Sequence, residues 1–105
     1  MQIVVIGCGK VGTTLIEHLA MEGHDIVVID TNPKNIDDIV NSYDVMGICG
    51  NGAIYDIQME AGVNKADLFI SVTSSDEVNL ISCLIARELG AKNLIARVRN
   101  PDYAS

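Results

Sequence analysis

A chain of 105 residues, 49% of them hydrophobic and only two of them proline, has the size and apolar content of one small folded domain. Asp and Glu total 14 against 7 Lys and Arg, a formal net charge of −7, which argues against nucleic-acid binding through phosphate neutralisation. Three cysteines, Cys8, Cys49 and Cys83, are an odd number without metal-ligand spacing, and no apolar run reaches the ~20 residues of a membrane helix, so a reducing cytoplasmic setting without direct membrane insertion is expected.

The first element read from the sequence is a β-branched run at residues 3–6, apolar on both faces as in a covered parallel sheet. Lys10 to Glu22 has helical spacing, with Val11, Leu15, Leu19 and the Ile16–Ala20 pair on one stripe and Gly23 as a stop. IVVI, residues 26–29, is a second buried strand that ends at Asp30. Asn32 caps and Pro33 opens a short helix whose buried side is read as Ile36, Ile39 and Val40. VMGIC, residues 45–49, is a third strand, weakened by Gly47. After the turn Gly50-Asn51-Gly52, a short helix carries Ile54, Ile57 and Ala61. DLFISV, residues 67–72, is the fourth strand. Ser74 and Glu77 read as a capping box for a helix that runs to Leu89 and stops at Gly90. LIARV, residues 94–98, is the fifth strand, with Arg97 and Arg99 on one side of it.

Strands alternate with helices throughout, which predicts an α/β fold of the Rossmann type: an open parallel sheet in the order 3-2-1-4-5 with helices on both faces. Residues 1–105 form one domain, expected to be part of a longer polypeptide. The helix 76–89 is apolar on more than one side, through Val78, Leu80, Ile81, Leu84, Ile85 and Leu89, which points to burial against another subunit.

Gly7, Gly9 and Gly12 stand between the first strand and the first helix, where a GxGxxG turn carries chemistry. The first glycine permits the tight turn, the second lets backbone approach a pyrophosphate, and the third lets helix and strand pack closely. Free amides and the positive end of the helix dipole face the phosphates; Cys8 is read as a small turn residue that matters through its backbone N–H rather than its sulfur, and the Lys10 ammonium either neutralises a phosphate or stands in solvent. Asp30, at the end of the second strand, is placed to accept bonds from ribose hydroxyls. Thr31 and Asn32 follow it rather than arginine, which favours NAD over NADP. The other strand ends bring Asn51, Thr73 and Ser74 to the same crevice, while the guanidiniums of Arg97 and Arg99 are open to a phosphate or to an acidic partner surface. His18 and His24 lie away from these ends, and there is no chain in hand for a substrate domain, so binding is expected rather than catalysis. The cofactor domain of a shortened NAD-dependent dehydrogenase is the alternative.

The segments VVIGCGKVG, VVIDTNP, CGNGAIYDIQMEAGVNKADLFISVTSSDEVNL and ARVRNPDY, in that order, resemble the nucleotide-binding domain of Trk/Ktr potassium-uptake regulatory subunits, and the resemblance covers nearly the whole chain. It implies a cytoplasmic ligand sensor that binds NAD(H) or, alternatively, ATP and ADP. It also implies homodimers that assemble into a ring beneath a membrane potassium transporter or channel. Carried over by position, the turn Gly7, Cys8, Gly9, Lys10, Val11 and Gly12 would hold the phosphates. Asp30, with Thr31 beside it, would hold the adenosine ribose and Asn51 the adenosine end. Thr73, Ser74 and Arg97 would meet the remaining phosphate-ribose portion.

Overall fold

The computed structural model describes residues 1–103; the expected domain end at Ser105 lies outside them. The elements in chain order are β1 (Gln2–Ile6), α1 (Lys10–Met21), β2 (Asp25–Asp30), α2 (Pro33–Ser42), β3 (Met46–Cys49), α3 (Tyr55–Glu60), β4 (Leu68–Ser71), α4 (Asp76–Leu89) and β5 (Leu94–Ala96), with 3₁₀ turns at Val63–Lys65 and Pro101–Tyr103. The five strands form one sheet in the order β3-β2-β1-β4-β5, and every neighbouring pair is parallel, as expected from the alternation of elements.

β1 sits at the centre, and its alternation divides the core. Ile3 and Val5 pack with Ile16 of α1 and Ile36 and Ile39 of α2 on one face. Val4 and Ile6 pack with Val63, Phe69 and Ala86 on the other, under α3 and α4. The register Ile3–Ile26 and Ile3–Leu68 keeps apolar partners level across the three central strands. A side chain such as Ile16 or Phe69, fully buried here, contributes roughly 1.5–3 kcal/mol from removal of apolar surface from water.

Several local expectations are corrected. Val40 is exposed rather than buried, and so is Ile54, which caps α3 instead of entering its buried face. Gly47 is a packing requirement more than a weakness. A Cβ there would meet Ile36 and Val40 Cγ2 atoms at 2.7 Å, so its absence lets α2 lie close to β3. The N-cap of α4 is Ser75, whose Oγ accepts from Val78 N at 3.2 Å, one residue later than the expected Ser74. β5 ends at Ala96 instead of Val98.

In α4 the structure shows which side meets the sheet. Its fully buried residues are Asn79, Ser82 and Ala86, while Ile81 and Leu84 are about half exposed. The stripe against the sheet is thus small and polar, and two of the large apolar side chains point outward.

Candidate functional site

The order in which strands are added to the sheet switches side between β1 and β4, and at that point the loops after the strands enclose a crevice of about 600 Å³. Gly7 turns the chain out of β1 with φ +100°, a left-handed conformation open to glycine, and its N–H donates to the Ile29 carbonyl at 2.8 Å. Gly9 is the N-cap of α1 and carries no capping side chain, so the amides of the first turn stay available. A Cβ built on Gly9 meets nothing within 4 Å: the backbone there borders open crevice. A Cβ on Gly12 would fall 1.8 Å from the Gly7 carbonyl oxygen, so α1 seats directly on the turn. Three glycines thus perform three different tasks.

Asp30, half-buried at the end of β2, is fixed by its own chain. One carboxylate oxygen accepts from Cys8 N at 2.9 Å and the other from Asn32 N at 2.8 Å. Each oxygen retains lone-pair capacity toward the crevice. The Cys8 thiol is buried on the other side, with Thr13, Ile39 and Tyr43 lining a separate small cavity. Burial, helped by the negative charge of Asp30, pushes that thiol up to about 12, so it is neutral at ordinary pH. Cys8 therefore acts on the turn through its amide.

Of the residues expected at the site, Gly7, Gly9, Lys10, Val11, Asp30, Thr31, Asn51, Thr73, Ser74 and Arg97 line the crevice. Cys8 and Gly12 do not; they shape the turn from behind. Arg97 and Arg99, expected to share a side, part company because both lie beyond β5. Arg97 borders the crevice, while the Arg99 guanidinium donates to the Ser74 carbonyl at 2.6 Å beside a different depression.

The β4 side of the crevice is ordered by Asn79. Its Oδ1 accepts from Ser71 Oγ (2.9 Å), Thr73 N (2.9 Å) and Thr73 Oγ1 (2.7 Å), and its Nδ2 donates to the Thr73 and Arg97 carbonyls (3.1 and 2.9 Å). The Thr73 hydroxyl proton is thereby directed inward. Beyond it, the Asp76 carboxylate accepts from Arg99 N (3.0 Å) and Asn100 N (2.7 Å), bonds that hold its carboxyl below the usual carboxylate range. Asn32, Asn35, Ser75 and Val78 also border the crevice and were not among the expected site residues.

Among the described residues no three His, Cys, Asp or Glu side chains are grouped to hold a metal ion, and no helix is long and apolar enough to cross a membrane.

An open parallel sheet with an amide-edged glycine turn at its switch point defines a Rossmann-type domain. Residues 3–105 match the TrkA-N domain model, and the chain belongs to that family. It is 45% identical over 106 residues to a Trk system potassium uptake protein TrkA homolog of Archaeoglobus fulgidus, a match that covers 98% of this chain and 23% of that protein. The chain therefore spans less than a quarter of that relative's length. In structure it is similar to the GsuK channel bound to NAD, with a TM-score of 0.84, 24% identity, and coverage of 97% of this chain and 18% of that one. It is also similar to the Kef CTD of Shewanella denitrificans in AMP bound form, with a TM-score of 0.78, 19% identity, and coverage of 90% and 57%. At these identities the two structures bear on the fold alone.

Proposed function

We propose that this chain is the nucleotide-binding domain of a regulatory subunit of a potassium-uptake system, and that the crevice takes NAD(H). The observation that carries the reading is the bare backbone at Gly9. A Cβ there would project into open space, at the end of α1 where uncapped amides and the helix dipole favour a diphosphate. Asp30, held by Cys8 and Asn32, offers its remaining lone pairs to ribose hydroxyls. Its charge repels a 2′-phosphate, and Thr31 follows it instead of an arginine, which favours NAD over NADP. Asn51 borders the adenosine end. Ser74 and Arg97 reach the second half of the dinucleotide, while Thr73 contributes the shape of its loop more than a free hydroxyl proton. ATP and ADP would use the adenosine half of the same crevice.

The regulatory part of the reading is supported by the name of the Archaeoglobus relative, a potassium uptake protein. A ligand domain beside a cytoplasmic face of a membrane transporter or channel controls flux by favouring one subunit arrangement over another. The outward Ile81 and Leu84 of α4 supply an apolar face for a second copy in a dimer or ring. Ligand forms that bind two arrangements equally would control nothing.

The test has two stages. The nucleotide that copurifies is identified, and calorimetry then compares NAD, NADH, ATP and ADP. Heat with NAD or NADH at lower concentration than with ATP or ADP is expected, and no heat with any of the four overturns the binding reading. Small-angle scattering with each bound form follows; identical profiles in every state overturn the regulatory one.

A further inference from the structure

Two buried carboxamides stand where an apolar core would be expected. Gln58 of α3 is 0% exposed, and so is Asn79 of α4. Burying a carboxamide is costly unless its donors and acceptors are met, and a leucine or methionine would fill either place at less cost. Each donates its amide protons to backbone carbonyls, at least one of them in a crevice loop. Gln58 Nε2 donates to the Gly52 carbonyl at 2.8 Å and to the Ser82 carbonyl of α4 at 3.0 Å. Gly52 is itself pressed onto β1, for a Cβ there would meet Ile6 Cδ1 at 2.4 Å. The loop that carries Asn51 is therefore pinned between the end of β1 and the middle of α4.

Asn79 does the same on the other side, joining the Thr73 loop and the Arg97 carbonyl to the first turns of α4. The Gln58 pairing is not optimised for stability: Gln58 Oε1 and Ser82 Oγ are both buried without a hydrogen-bond partner. A side chain kept at that cost serves placement.

We propose that Gln58 and Asn79 are positioning residues that divide the crevice between them. Gln58 sets the Gly50–Gly52 loop for the adenosine half of a ligand. Asn79 sets the Thr73–Ser75 loop and Arg97 for the second half. Both do so relative to one helix, α4. This rests on the dinucleotide reading of the crevice.

AMP carries only the adenosine half, so it separates the two roles. With the wild-type chain, calorimetry measures Kd for AMP and for NAD. Gln58→Met is expected to weaken both ligands by about tenfold or more, and Asn79→Asp to weaken NAD by about tenfold while leaving AMP within about twofold. Should either variant fail to fold, hydrogen exchange on the wild-type chain supplies the same contrast. NAD is expected to slow exchange at the Thr73 and Ser75 amides, and AMP to leave them unchanged. Equal loss of AMP and NAD in Asn79→Asp, no loss of either in Gln58→Met, or protection of the Thr73 loop by AMP overturns the division of roles. Absence of wild-type binding to both ligands overturns the dinucleotide reading itself, and is told apart from the other results by needing no variant.

Discussion

Replacing Gly12 with alanine tests the packing logic of the turn directly. The added Cβ would lie 1.8 Å from the Gly7 carbonyl oxygen and 2.8 Å from its carbon. No rotamer relieves this overlap, because both partners are backbone. Gly7 cannot retreat: it is held at φ +100° and bonded to Ile29 at 2.8 Å. α1 must lift by roughly 1 Å, which loosens Ile16 in the core, and overpacking of this kind costs ~1–3 kcal/mol. Alanine's better helix propensity returns up to ~1 kcal/mol. A 1.8 Å approach to a backbone oxygen belongs at the upper end of that overpacking cost, ~2–3 kcal/mol, so the net loss is about 1–2 kcal/mol, which for a domain of this size lowers Tm by roughly 4–16 °C. Gly9→Ala is the matched control. Its Cβ meets no protein atom within 4 Å and its φ of −71° suits alanine, so stability falls by under ~1 kcal/mol. Its methyl enters the crevice, and NAD affinity falls by about tenfold or more. Thermal unfolding by circular dichroism and calorimetry with NAD read the two effects. A Gly12→Ala chain that melts with the wild type, or a Gly9→Ala chain that binds NAD as the wild type does, refutes the assignment of tasks within the turn.

Asp30→Ala is expected to weaken NAD binding by ~1.5–3 kcal/mol, the scale of a charge-assisted hydrogen bond, and unchanged affinity in titration calorimetry would remove Asp30 from the site. Burial raises the Cys8 and Cys83 thiols from 9.0 to about 12 and about 11. The unfolded chain releases these protons from pH 9 upward while the folded chain retains them. Their stabilisation is therefore complete below about pH 9 and is lost between there and pH 12. Melting temperatures across that range should fall less steeply in a Cys8→Ala, Cys83→Ala chain than in the wild type. Asp76→Ala frees the Arg99 and Asn100 amides; hydrogen exchange there should accelerate while β1 and β4 stay protected. Ile81→Glu with Leu84→Glu alters two half-exposed positions, so the fold should hold within ~0.5 kcal/mol per site and sedimentation should show less dimer than the wild type.

The sheet order, the glycine turn and the place of Asp30 were legible because each follows from local rules: β-branched runs, a turn that needs glycine, and the geometry of βαβ units. α4 was harder to read. Apolar residues on more than one side of it do not say which side meets the sheet, and here Asn79, Ser82 and Ala86 do. A polar-small-small stripe at helical spacing was the signal, and the more conspicuous Ile81 and Leu84 masked it. The same blind spot hid Gln58 among Ile54, Ile57 and Ala61. The end of β5 was misplaced for a tertiary reason. Arg97 N still donates to the Ser71 carbonyl, but Asn79 takes the Arg97 carbonyl and Asp76 takes the Arg99 and Asn100 amides, which draws the chain beyond Arg97 away from β4 although Val98 suits a strand. Gly47 was legible as a residue but not as a fit, since nothing in the sequence reports how near α2 comes.

Asp30 has one last consequence. Because the Cys8 amide already rests on its carboxylate, and Gly12 already abuts Gly7, the loop does not wait for a ligand to take shape. A nucleotide arriving as proposed loses its own freedom but need not immobilise the protein's. Capture is then governed by encounter, and preference among nucleotides has to be expressed in how long each one stays.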